Sequence, residues 1–253
     1  MKNFMYGFLL AMQFLTRIPI PLSCPWNKET SKWALRSYPV VGLLLGTVIT
    51  VITLFLNTFI PEVMLTLVII TLWVWLTGGL HLDGWMDVAD AMGSNASVEK
   101  KWQIMKDPHV GSFGILALVF LLSWKAIFLH YIMDISFEHI YVFLVILSLS
   151  RLNAVLLLFV MPTAKQEGLA YEWKKHICNS DILIAVIPVF VIFLIFPSYL
   201  FLFPAYLLFI VVFGLWVKHT FKGINGDILG TAIEGGELWG LAMTWIFFSF
   251  VMG

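Results

Sequence analysis

Apolar residues in this chain gather into long runs rather than into the one-sided stripes of a soluble helix or strand. Seven runs, at about 39–60, 63–80, 112–134, 139–161, 183–198, 200–217 and 235–252, approach the roughly 20 residues that a spanning helix needs. An eighth, Phe4 to Leu15, is too short to span. It resembles a signal peptide in outline, but Arg17, Pro19 and Pro21 follow it instead of a small-residue cleavage site. The pattern predicts an all-α, polytopic helical membrane protein of about seven transmembrane helices. A short, retained N-terminal helix, interfacial or re-entrant, precedes them. With no internal repeat or soluble segment, positions 1–253 read as a single membrane domain.

The connections alternate in kind. Pro61-Glu62, the Asp134–Glu138 turn and Pro197-Ser198-Tyr199 are short and carry no Lys or Arg. The segments 17–38, 81–111, 162–182 and 218–234 are long and polar, and hold twelve of the fifteen basic residues. The positive-inside rule puts these long segments in the cytoplasm, so the chemistry is expected at the cytoplasmic face of a prokaryotic inner membrane.

Composition sharpens this picture. Hydrophobic residues make up 60% of the chain and charged ones 12%, against about 25% charged in soluble domains. Formal net charge is zero, which offers no basic surface for nucleic acid. The lipid bilayer is the expected surrounding, and a homo-oligomer stays open. Cys24 and Cys178 have no metal-site spacing and read as free thiols. Trp73, Trp75 and Trp216 read as packing or interface anchors.

Against this background the stretch GGLHLDGWMDVADAMGS stands out. On a helix, Asp83, Asp87 and Asp90 fall at i, i+4 and i+7, one narrow stripe of like charges. Such a stripe is unfavourable unless a cation binds it, and a hard divalent ion such as Mg²⁺ takes oxygen ligands of this kind. Helix capping by Asp83, with the other two acids solvated, is the plainer alternative. His81 reads equally as ligand, base or interfacial residue. A second set, Asp227, Glu234 and Glu237, lies at i, i+7 and i+10 where the last span begins. It is expected at the same membrane level, and together the two sets suit a metal-diphosphate site. Gly226/Gly230 and Gly236/Gly240 each read as a small-residue helix interface.

Donors for phosphate are sought in KDPHVGSFG, where Lys106 offers a point charge and Asp107 orients it or joins the metal. Gly111 and Ser112, with Gly114, would open a helix with free backbone N–H groups. Lys222, just before the second acidic set, is a further phosphate candidate. Lys125 and Arg151 interrupt spans, and buried cations in spans face a cavity or a counter-charge. Arg151, about 15 Å from its cytoplasmic helix end by helical rise, could reach the acids or a phosphate. No Walker loop, dinucleotide fingerprint, zinc spacing or nucleophilic triad occurs.

Taken together, these motifs resemble the cobalamin synthase family, the adenosylcobinamide-GDP ribazoletransferases. The resemblance runs through FLTRIPIP (Phe14–Pro21), YPVVGLLLG (Tyr38–Gly46), GGLHLDGWMDVADAM (Gly78–Met92) and IMKDPHVGSFG (Ile104–Gly114). It continues in SRLNA (Ser150–Ala154), QEGLA (Gln166–Ala170) and NGDILGTAIEGGE (Asn225–Glu237). It implies transfer of the adenosylcobinamide phosphate group from adenosylcobinamide-GDP to α-ribazole or its 5′-phosphate, with release of GMP and with Mg²⁺ as cofactor. On that resemblance Asp83, Asp87 and Asp90, aided by Asp227, Glu234 or Glu237, would hold the metal. Lys106 and Arg151 would hold phosphate oxygens, and one acid or His81 would take the acceptor's proton. Trp85, Met86, Lys106 and Ala170 depart mildly from the family's wording. A lipid phosphotransferase or prenyltransferase is the nearest enzymatic rival, and a cation or vitamin transporter the non-enzymatic one.

Overall fold

A computed structural model describes residues 2–251 of the chain. Among the described residues there are eleven α-helices and no strand, only a parallel bridge between Thr163 and Ile224. The all-α reading therefore holds, with shifted boundaries. Residue 252, the last of the expected final span, lies outside the described residues.

Helix α1 (Lys2–Leu15) lies against α2 (Lys28–Leu56), where Gly7 leaves no room for a side chain beside Trp33 and Ala34. Helix α2 starts well before the expected 39, because the Asn27 side chain caps it by accepting the N–H groups of Glu29 and Thr30. Pro39 stays inside it. Helix α3 (Glu62–Thr77) ends at Gly78 and Gly79, whose φ of 69° and 71° break the helical path. The chain then leaves at 92° as α4 (Leu80–Gly93). Twenty of the 31 positions of the expected polar loop 81–111 are thus helical, in α4 and α5 (Val98–Ile104). The bend takes α4 out of the α3 span.

Helices α6 (Ser112–Ile135), α7 (Val142–Val160), α8 (Leu169–Lys174), α9 (Asn179–Ile195), α10 (Leu202–Thr220) and α11 (Gly226–Ile246) follow. Four stretches are long and apolar enough to cross a membrane: α2, α6, Phe137–Val160 and Pro197–Thr220; α3 and α4 would count as a fifth only as one span, and the 92° bend breaks it. The expected seven are not reached, because α9 has only 17 residues and the glycines and glutamates of α11 lower its hydropathy. Helix α11 begins at Gly226 rather than 235, capped by the Asn225 side chain on the N–H of Ile228. All three acids of the second set therefore stand on one helix.

Helix α7 is the axis of the bundle, with 83% of its spanning window buried. Gly42 and Gly46 of α2 press backbone to backbone against Phe143 to Ser148 of α7, a small-residue seam. Across the bundle, Tyr206 of α10 donates its hydroxyl to the Gly236 carbonyl of α11 at 2.7 Å. Asp181 of α9 is fully buried and accepts from Arg36 of α2 at 2.6 Å. Cys24 and Cys178 are free.

Candidate active site

The site forms where α4 crosses the start of α11. A β-carbon on Gly84 would lie 2.7 Å from the Cα of Asp227, so only glycine permits the approach. Thr231 fixes the crossing by donating its hydroxyl to the Gly84 carbonyl at 3.0 Å. This brings Asp83 and Asp87 of α4 beside Asp227 of α11, three acids from two remote stretches. Burial, and then the neighbouring Asp227, Asp83 and Asp90 carboxylates, push Asp87 up to about 7. Asp227 accepts from the Asn225 side chain at 2.6 Å. No lysine or arginine forms an ion pair with Asp83, Asp87 or Asp227 among the described residues.

That concentration of uncompensated carboxylate oxygen fits a hard divalent cation in chemistry. The side chains as placed do not close on one point: no three His, Cys, Asp or Glu groups among the described residues converge on one ion position. Mg²⁺ keeps several waters and needs only one or two carboxylates from the protein, so the donor set still suits it.

Asp90 has a different task. Its two oxygens accept the N–H groups of Gly111 at 2.7 Å and Gly114 at 2.8 Å. It thereby closes the N-terminus of α6, where the helix dipole favours a negative charge. The expected phosphate cradle is thus corrected at two of its amides: those of Gly111 and Gly114 are already occupied by an internal carboxylate. Asp107 is exposed, and its carboxylate accepts from the backbone of His109 and pairs with that ring at 2.7 Å. The His109 contacts hold Asp107 below the usual carboxylate range.

Glu234 and Glu237 do not join the acids of α4. Seven residues of helix put Glu234 about 10 Å beyond Asp227, in a buried ion cluster. Lys125 of α6 donates to Glu234 at 2.5 Å and to Glu237 at 2.6 Å, and Arg151 of α7 pairs with the other oxygen of Glu237. Arg151 and Glu237 are both 0% exposed. Two cations and two anions cancel, which is how charges persist inside an apolar bundle. In this structure Glu234, Glu237 and Arg151 are engaged with one another and with Lys125, apart from the acids of α4. The Lys125 ammonium also lies 4.6 Å from the Trp73 ring centre.

Two clefts open at the acids. The first, about 340 Å³, is lined by His81, Asp83 and Asp227 together with Phe14, Tyr38 and Trp173. Burial, reinforced by Arg151, holds His81 down to about 3, and its Nδ1 is buried without a partner. The second cleft, about 360 Å³, is lined by Lys106, Lys165, Asn225 and Tyr171. Leu169, Ala170 and Gly226 line both, so the clefts adjoin. The bridge from Thr163 to Ile224 holds the 162–168 loop, and with it Lys165, against the approach to α11. The Lys106 ammonium alongside pushes Lys165 down. Lys222 lines neither cleft; it stands exposed at a φ of 62°.

Lys165 and the aromatic wall were not singled out from the sequence. Lys165 sits in a loop with no helical period to align it, and Phe14, Tyr38 and Trp173 come from three separate segments.

The chain matches the family model "Cobalamin-5-phosphate synthase" over residues 7–245. An adenosylcobinamide-GDP ribazoletransferase from Geobacillus sp. (strain WCH70) is 35% identical over 264 residues, spanning 100% of both chains. Relatives of the same description from Halalkalibacterium halodurans and Geobacillus thermodenitrificans are 33% and 36% identical, over 98% and 100% of each chain. No solved structure matches.

Proposed function

The chain belongs to the cobalamin-5-phosphate synthase family, and from that premise we propose how its two clefts serve the transfer that its relatives' names describe. The protein is a membrane transferase of cobalamin biosynthesis, acting at the final nucleotide-loop assembly step. The reaction is adenosylcobinamide-GDP plus α-ribazole, or its 5′-phosphate, giving adenosylcobalamin or its 5′-phosphate and GMP. A ribose hydroxyl oxygen of the acceptor forms the new bond to the phosphorus that carries cobinamide. The bond from that phosphorus to the GMP oxygen breaks, and the hydroxyl proton must be taken up.

One juxtaposition carries this reading: an acidic cleft and a lysine cleft that share Leu169, Ala170 and Gly226. Asp83, Asp87 and Asp227 would hold Mg²⁺. When bound, the metal supplies positive charge against the diphosphate. Lys106 and Lys165 hold phosphate oxygens as point charges, and the leaving GMP stays on their side. A carboxylate of the acidic cleft takes the hydroxyl proton; His81, held far below neutrality, is a poor base at physiological pH. The clefts lie in the polar segments rich in basic residues, which supports a site open to the cytoplasm.

The test is GMP release from adenosylcobinamide-GDP in membranes, with and without α-ribazole, across a Mg²⁺ titration. Release that needs both the acceptor and the metal is expected. Release indifferent to the acceptor would point to a hydrolase or a lipid phosphotransferase, and no release to a transporter.

A further inference from the structure

We infer that the aromatic cleft seats the flat, weakly polar base of the acceptor nucleoside, while the lysine cleft takes the phosphate end of the donor. The inference rests on the reaction proposed above and assigns each substrate to a place.

Size comes first. At about 340 Å³ the cleft is at the small end for ligand sites, enough for one nucleoside and too small for a corrin ring. Its walls come next. Trp173, 4% exposed, meets Phe14 at 5.3 Å and Tyr38 at 6.2 Å between ring centres, both edge-on. Leu35, Val155 and Leu158 complete an apolar interior. Polar side-chain groups in its lining are those of His81, Asp83 and Asp227, with the Tyr38 hydroxyl and the Trp173 indole N–H. The cleft is therefore apolar on one side and acidic on the other, and the buried Nδ1 of His81 has no partner within the protein.

The acceptor proposed above, α-ribazole, has the same division. Its base is an apolar bicycle that stacks or packs on aromatic faces, and its sugar carries hydroxyls that carboxylates and an imidazole nitrogen can bind. The donor's guanosine is the competing flat nucleoside. Guanine carries several donors and acceptors on its edge, and an interior of Phe14, Leu35, Val155 and Leu158 would leave them unpaired at full desolvation cost. Its phosphates also call for cationic side chains, and no Lys or Arg lines this cleft. Lys106 and Lys165, in the adjoining cleft, offer the complementary charge.

The experiment uses detergent-purified full-length protein, taking the monodisperse fraction of each variant, with steady-state kinetics in both substrates. Tyr38→Leu and Trp173→Leu should raise the acceptor KM at least about tenfold, the scale of a lost aromatic–base contact, with the donor KM within about twofold. Lys106→Ala and Lys165→Ala should do the reverse. Tyr38→Phe, which keeps the ring and the fold, should raise the acceptor KM far less than Tyr38→Leu. Equilibrium dialysis of α-ribazole without donor should show the same order, and guanosine should not displace it. Equal rises in both KM values for Tyr38→Leu, or displacement of α-ribazole by guanosine, would overturn the assignment while leaving the reaction intact. If wild-type protein releases no GMP from adenosylcobinamide-GDP, the reaction itself fails first.

Discussion

Gly84 and Asp227, 143 positions apart, touch backbone to backbone: a side chain on the glycine would meet the Cα of the aspartate at 2.7 Å. The contact sets the distance between the acids of α4 and the acid of α11. Gly84→Ala must push the helices apart, and overpacking of this kind costs about 1–3 kcal/mol. A displacement near 1 Å at a reacting centre can cost about 10²-fold in rate. Gly84→Ala is expected to remain foldable in membranes yet lose most GMP release at saturating substrate. Wild-type turnover in that variant would show that the crossing does not govern the site.

Asp90 caps α6, whereas Asp83 and Asp87 have no such partner. In Asp90→Asn, one amide oxygen replaces two carboxylate oxygens and an NH₂ faces a backbone N–H. The expected loss is about 1–3 kcal/mol of stability, read as a lowered thermal midpoint, with the Mg²⁺ concentration for half-maximal activity unchanged. Asp83→Asn and Asp87→Asn should instead raise that Mg²⁺ requirement. An Asp90 variant that needs more metal at normal stability would identify it as a ligand rather than a cap.

The cluster of Lys125, Arg151, Glu234 and Glu237 is neutral as a whole and intolerant of single losses. Glu237→Leu strands Arg151 and half of the Lys125 contact, and breaking a buried pair costs about 3–5 kcal/mol. The double variant Lys125→Met/Glu234→Leu leaves Arg151 paired with Glu237 and should lose much less. Monodispersity and thermal midpoint after extraction measure both. The order would reverse if the cluster bound a substrate phosphate instead of stabilising the bundle.

Asp87 yields a pH dependence. Its carboxyl, pushed up to about 7, holds a proton in the folded protein that the unfolded chain releases near its ordinary value of 3.8. The stabilisation is complete below about 4 and is lost as pH rises through about 7. In EDTA, Asp87→Asn should therefore raise the thermal midpoint relative to wild type at pH 8 and leave it unchanged at pH 3.5. A bound divalent cation competes with that proton, so Mg²⁺ should protect wild type more at pH 8 than at pH 6. Equal protection at both values would argue that Asp87 lies outside the metal's reach.

The primary sequence determined which stretches are apolar, where basic residues collect, and that Asp83, Asp87 and Asp90 share a stripe as do Asp227, Glu234 and Glu237. These follow from period and composition, which are local. It could not tell which acids already have partners. Lys125 and Arg151 were legible as cations needing counter-charges, but only the packing of α6 and α7 on α11 decided that Glu234 and Glu237 supply them. The same holds for Asp90, whose partners are backbone amides 21 and 24 residues away. Lys165 and Trp173 lie outside the matching stretches, and Phe14 and Tyr38 only open two of them, because a cleft is made by surfaces meeting in space rather than by spacing along a helix. Charge compensation and cavity shape depend on distances across the bundle, and those were decided by tertiary structure alone.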